Sequence, residues 1–167
     1  YRNGTKWGLL TGFVYAVVQM LLGFKTVSAF FMPGSDSYMV LWKAICVCLI
    51  DYIIAYTVLG LGGIFRNKIK NPSVSLCVGS IFALSLRYIA HIISGFIFFG
   101  TWADWFFSQD GFTLGAKILE KFSGQGLAFL YSVIYNGLYM IPEIIITAIV
   151  ALIIGRVPQI SGRKNTK

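Results

Sequence analysis

The sequence predicts an all-α integral membrane protein, a helical bundle forming one transmembrane domain over residues 1–167. Three observations carry this. First, 57% of the 167 residues are apolar and only 12% are charged, whereas a soluble domain is about half apolar and about a quarter charged. Second, the apolar residues gather in four stretches, roughly residues 7–31, 41–65, 75–102 and 127–154, each longer than the ~20 residues a helix needs to cross the hydrocarbon. Third, the basic residues concentrate on alternate connections between those stretches. Open strands cannot cross lipid, because their backbone groups would be left unpaired, so the spans are helices. Such hydrophobicity excludes disorder. Three cysteines, Cys46, Cys48 and Cys77, all in apolar runs, exclude a secreted disulfide scaffold.

The first stretch is too long for a signal peptide and has no small-residue cleavage site before polar sequence. Gly4, Gly8 and Gly12 recur every four residues, with Ala16 next. Small residues at that spacing let helices approach closely in lipid. Tight internal packing is the preferred reading, and a docking face for a partner subunit is the other. Residues 32–40, with Pro33, Gly34, Ser35 and Asp36, read as a turn. The second span carries Asp51 midway, and a short basic connection with Arg66, Lys68 and Lys70 leads to the third. The third carries Arg87, Tyr88 and His91 in its middle. Residues 103–126 form the longest loop. Trp102, Trp105, Phe106 and Phe107 at its start read as an interfacial aromatic belt, with a lid over an outward-facing pocket as the alternative. The fourth span carries Tyr131, Ser132, Tyr135, Asn136, Tyr139 and Glu143, and a basic tail fills 155–167.

The net charge is +8. In a soluble protein that would suggest nucleic acid, but here the basic loops account for it and no nucleic-acid partner is expected. Arg2 and Lys6, the 66–74 connection, and Arg156, Arg163, Lys164 and Lys167 share one side. On the other side, Lys25, Lys43, Lys117 and Lys121 are diluted by Asp36, Asp104, Asp110 and Glu120. The positive-inside rule places both visible chain ends and the 66–74 connection in the cytoplasm.

An ionised side chain at mid-membrane costs ~2.5–3.5 kcal/mol on insertion scales, so such residues face the bundle interior and find partners. Arg87, His91, Gly95 and Phe99 are four apart and share one helical face. Gly95 leaves room there for something to sit against the backbone. Ser132, Asn136, Tyr139 and Glu143 share a stripe on the fourth span. The simplest arrangement pairs Asp51 with Arg87. One acid, one base, one imidazole, one amide and several tyrosines from three helices point further, to a polar cavity with aromatic walls.

Some chemistry is missing from the sequence. With one histidine, a multi-histidine metal site is impossible. Cys46 and Cys48 face different sides of a helix and are poor co-ligands. No phosphate-binding Gly-Lys-Ser/Thr motif exists to power transport, and no Gly-x-Ser-x-Gly elbow is present. An acid, a cation and aromatic rings suit binding better than catalysis. A carboxylate among aromatic faces attracts an organic cation, with cation–π contacts worth up to ~2 kcal/mol when desolvated.

The stretch from Ser85 to Phe99, with Arg87-Tyr88, His91, Gly95 and Phe99, resembles the fifth helix of the thiamine-specific S components of energy-coupling factor (ECF) transporters, the ThiT (YuaJ) family. Tyr131-Ser132-Val133-Ile134-Tyr135-Asn136-Gly137 resembles that family's Tyr-Ser-x-x-x-Asn-Gly. Asp51-Tyr52 stands where the family has Glu-Tyr, and Arg2-x-Gly4-x-x-x-Gly8 resembles the opening of its third helix. The resemblance implies a six-helix bundle whose first two helices have no counterpart here. It also implies a bacterial cell membrane and an outward-facing thiamine pocket using Asp51, Tyr52, Arg87, His91, Gly95, Phe99, Tyr131 and Asn136. Asp51 would balance the ligand's charge, His91 and Phe99 would flank the thiazolium, and Tyr52, Arg87, Tyr131 and Asn136 would supply hydrogen bonds. Thiamine is then a transported ligand and no cofactor is expected. The implied partners are a transmembrane coupling subunit and two ATP-binding-cassette ATPases.

The sequence departs from the family at three of these positions, with Asp51 for a glutamate, Phe99 for a tryptophan that Trp102 could replace, and Arg87 for a lysine. An S component for a thiamine precursor or related vitamin is therefore the alternative, as is a small membrane enzyme using His91 and Asp51.

Overall fold

The computed structural model describes residues 1–161, all of whose regular elements are helical. Arg163, Lys164 and Lys167 of the basic tail lie outside the described residues. The first helix, α1 (Thr5–Leu22), starts after Gly4, whose φ of 86° is a backbone region that favours glycine. It stops at Gly23, and a short α2 (Phe24–Ala29) follows. The single span expected over 7–31 is therefore two helices.

Helix α3 (Leu41–Gly63) is continuous but changes its winding three times. It is α-helical to Val47, opens to a π-helix over Cys48–Ile54, returns to α over Ala55–Thr57, and tightens to a 3₁₀-helix over Val58–Gly63. Helix α4 (Pro72–Phe98) has a start legible in its sequence. Asn71 caps it by accepting from the Ser73 N–H at 3.0 Å and the Val74 N–H at 3.3 Å, and Pro72 occupies the first turn, where its missing N–H costs nothing.

The segment expected as one long loop over 103–126 contains two helices, α5 (Ala103–Phe107) and α6 (Gly115–Lys121). Its aromatic residues do not all form a lipid-facing belt. Phe107 is 1% exposed and packs with Ala103, Leu127 and Tyr131. A Cβ on Gly115 would collide with the Phe107 carbonyl, so the glycine is what lets the segment fold back this tightly. Trp105 remains exposed on the outside. Helix α7 (Gly124–Ile154) carries Pro142 in its interior, which leaves the Leu138 carbonyl without its usual i+4 donor. The short α8 (Pro158–Ser161) follows.

Four of these helices, α1, α3, α4 and α7, are long and apolar enough to cross a membrane. They pack in chain order as an arc: α1 lies on α3, α3 on α4, and α4 on α7 in the most extensive contact of the fold. The joints are made by glycine. A Cβ on Gly60 would overlap the Gly8 backbone, and one on Gly79 would overlap the Gly62 carbonyl. Gly12 and Ala16 are buried in the same α1–α3 joint. Gly8, Gly12 and Ala16 of the every-fourth-residue pattern therefore serve internal packing, whereas Gly4 serves the turn into α1. Most large apolar side chains stay uncovered by protein, as a lipid-facing surface requires.

Candidate ligand-binding site

All eight residues singled out from the sequence line one cavity of about 480 Å³, within the ~300–1,000 Å³ range of small-molecule sites. It is walled by α3, α4 and α7. It extends to Thr26, Phe30 and Ser37, at the end of the bundle opposite the basic 66–71 connection.

Asp51 comes to the cavity from the π-helical part of α3. Such wide turns rotate the side chains that follow and recur at functional sites. One Asp51 oxygen lies 2.8 Å from His91 Nδ1, and the other accepts from Ser94 Oγ at 2.6 Å. On the far side of the imidazole, Arg87 Nε donates to His91 Nε2 at 3.3 Å. That contact requires a lone pair on Nε2, so the ring proton sits on Nδ1 and points at Asp51. The histidine is thus neutral in this arrangement, and its orientation is set from both sides.

The expected Asp51–Arg87 pair does not form. Arg87 bonds Glu143 Oε1 at 2.7 Å, reaches Tyr56 Oη at 3.4 Å, and lays its guanidinium 4.6 Å from the centre of the Tyr56 ring. Glu143 stands one turn beyond Tyr139 on α7 and meets Arg87 across the α4–α7 joint. The charges then sum simply. Arg87 and Glu143 cancel, His91 is neutral, and Asp51 is held by two neutral donors. The site carries one uncompensated negative charge.

Asn136 is a fixed part of the α4–α7 joint. Its Nδ2 donates to the Ser132 carbonyl at 2.8 Å and to the His91 carbonyl at 3.3 Å, while its Oδ1 accepts from Tyr139 Oη at 2.5 Å. Gly95 was expected to leave room for a ligand. A Cβ there would crowd the Ser132 hydroxyl and lie 3.1 Å from Asn136 Nδ2, so the space it clears is filled largely by those two side chains. Tyr131, Tyr135 and Tyr139 form a ladder on one wall, with ring centres 5.4 and 6.4 Å apart, facing Tyr52 and Tyr56 on the other. Phe99 packs 6.1 Å from Phe30 at the mouth. Trp102 does not substitute for an aromatic at the Phe99 position. It lines a neighbouring cavity with Asp36 and Lys43 and packs on Trp105.

Several residues that line the cavity or bond to its lining were not assigned to it from the sequence. Tyr56 lies one α-turn beyond Tyr52, a spacing that could have flagged it. Ser94 is invisible as a site residue, because an intramembrane serine ordinarily bonds its own helix. Glu143 was noted as polar but was not assigned to Arg87.

Residues 1–108 match the family model described as "Thiamine transporter protein (Thia_YuaJ)". The chain belongs to this family. It is also 31% identical, over 159 residues, to the thiamine transporter ThiT of Bacillus subtilis (strain 168); the match covers 90% of this chain and 65% of that relative. The chain thus spans just under two thirds of the curated relative it matches. No solved structure matches it significantly. Family membership and four apolar helices make it a multi-pass membrane protein.

Proposed function

We propose that this family member is the substrate-binding membrane subunit, the S component, of an ECF-type importer. It captures thiamine from outside and delivers it inward with a coupling subunit and two ATP-binding-cassette ATPases. One observation carries the ligand: the uncompensated charge of Asp51 inside an aromatic cavity. Thiamine joins a permanently cationic thiazolium to a neutral aminopyrimidine. The carboxylate complements the first, and the tyrosine faces complement both rings. The relative's name, a thiamine transporter, supports the same ligand.

Each residue then has a role. Asp51 neutralises the thiazolium, His91 and Phe99 flank it, and Tyr52, Arg87, Tyr131 and Asn136 shape and hydrogen-bond the pocket around Gly95. Orientation follows from charge. The cavity reaches the end of the bundle away from Arg66, Lys68 and Lys70, so the positive-inside rule turns its mouth outward and both described chain ends inward. With no phosphate-binding loop in the sequence, the energy for uptake comes from the partner ATPases.

The enzyme reading fares worse. Ser94, the hydroxyl nearest the His91–Asp51 pair, donates to the carboxylate, and Arg87 occupies the imidazole Nε2.

The test is mass spectrometry of the small molecule that co-purifies with the protein, followed by isothermal calorimetry with thiamine. Thiamine in the eluate and saturable heat are expected. No heat at millimolar thiamine removes it as the ligand. Because no tryptophan lines the cavity, calorimetry is a better readout than quenching of tryptophan fluorescence.

A further inference from the structure

We propose that Glu143 is the residue that makes this pocket selective for a cation, by occupying Arg87 and so leaving the charge of Asp51 to the ligand. This deepens the reading above and rests on it for the choice of thiamine as probe. Asp51 and Arg87 both contact His91, one on each ring nitrogen, and both line the cavity. What offsets the guanidinium charge, and so leaves the carboxylate unbalanced, is the 2.7 Å ion pair with Glu143. The pairing is asymmetric. Arg87 is 11% exposed and fixed by Tyr56, His91 and Glu143, whereas the Glu143 side chain is 38% exposed and does not line the cavity. Glu143 therefore acts through Arg87, as a positioning residue, rather than by touching the ligand.

Three variants separate charge from shape. Glu143→Gln keeps the size of the side chain but brings the net charge of the site from −1 to zero. Arg87→Gln takes it to −2. Combining the two returns it to −1 with the ion pair gone. The ligands are thiamine, a monocation, and its neutral hydroxymethyl-aminopyrimidine half, each titrated by calorimetry into detergent-purified protein whose thermal melt is recorded alongside.

Glu143→Gln is expected to weaken thiamine binding by roughly ten- to a hundredfold, the effect of one unit charge several ångströms away at an effective dielectric constant of about 20. It should change the neutral pyrimidine less than about threefold, as a charge effect requires. The double variant is expected to recover most of the preference for thiamine over the pyrimidine. A purely structural role for Glu143 predicts parallel losses for both ligands and no recovery in the double variant. That result, or an unchanged ratio of the two affinities in Glu143→Gln, overturns the proposal. If Glu143→Gln fails to fold, the double variant and Arg87→Gln decide it: the thiamine-to-pyrimidine ratio should rise in Arg87→Gln and stay near the parent's in the double variant, and any other order overturns it. Failure of the unmutated protein to bind thiamine refutes the ligand. The charge proposal is then tested with a simple thiazolium cation against the same neutral pyrimidine.

Discussion

Replacing Asp51 by Asn separates a charge that serves the ligand from one that serves the fold. Had Asp51 paired with Arg87, the substitution would strand a buried guanidinium and cost ~3–5 kcal/mol. In the structure Arg87 is already paired with Glu143, so no cation is left alone. What Asp51→Asn loses within the protein is the ionic character of two hydrogen bonds, from His91 Nδ1 at 2.8 Å and Ser94 Oγ at 2.6 Å. The amide oxygen can keep the imidazole bond, and the Ser94 hydroxyl can turn toward a backbone carbonyl of its own helix. The stability cost is then the difference between charge-assisted and neutral hydrogen bonds, about 1–2 kcal/mol. Opposing it, the variant no longer holds a carboxylate charge at mid-membrane, which is worth up to ~2.5–3.5 kcal/mol in the other direction. The net expectation is a melting temperature within a few degrees of the parent. The effect on the ligand is larger. A charge-assisted contact is worth ~1.5–3 kcal/mol, or about two orders of magnitude in Kd for thiamine at the upper end. The assay is a thermal melt in detergent paired with a calorimetric titration. Unchanged affinity with a normal melt would remove Asp51 from the site. A collapsed melt would refute the charge sum itself, because it would mean that Glu143 does not balance Arg87.

Three further outcomes test other parts of the account. Gly60→Ala places a methyl group into the Gly8 backbone, and should destabilise the protein by about 1–3 kcal/mol by overpacking, read as a lower melting temperature. Phe106→Ala removes ring contacts at 5.4 Å to Tyr131 and 5.7 Å to Tyr135. Thiamine affinity should fall several-fold as that wall loosens, at about 0.5–1.5 kcal/mol per aromatic pair, and unchanged affinity in a folded variant would detach the 103–107 helix from the site. A cysteine introduced at Lys68 in a background lacking Cys46, Cys48 and Cys77 should react with a membrane-impermeant thiol reagent in inverted vesicles and not in intact cells; the reverse pattern would overturn the orientation.

The spans were legible because lipid leaves little choice. Stretches of more than 20 apolar residues must be helical, and each of the four contains or closely matches a long helix. Asn71-Pro72 could be read as a helix start, because a cap acts within three residues. The break at Gly23 was hidden inside one apolar run, where hydropathy does not change across the break. The helices at 103–107 and 115–121 were hidden for a different reason. Their apolar residues answer to Leu127 and Tyr131, on the next long helix rather than on their own.

The sequence by itself determined which residues had to leave the lipid: Asp51, Arg87, His91, Asn136 and the tyrosines, each too costly to expose to hydrocarbon and spaced to share helix faces. It also determined that they belong to one family's pattern. Only the tertiary structure decided how they pair. Arg87 and Asp51 each have more than one partner within reach, and the choice depends on the winding of α3 within its π-helical turn and on the close α4–α7 approach at Gly95. At these separations an ion pair varies steeply with distance, whereas the hydrophobic term that set the spans depends only on area.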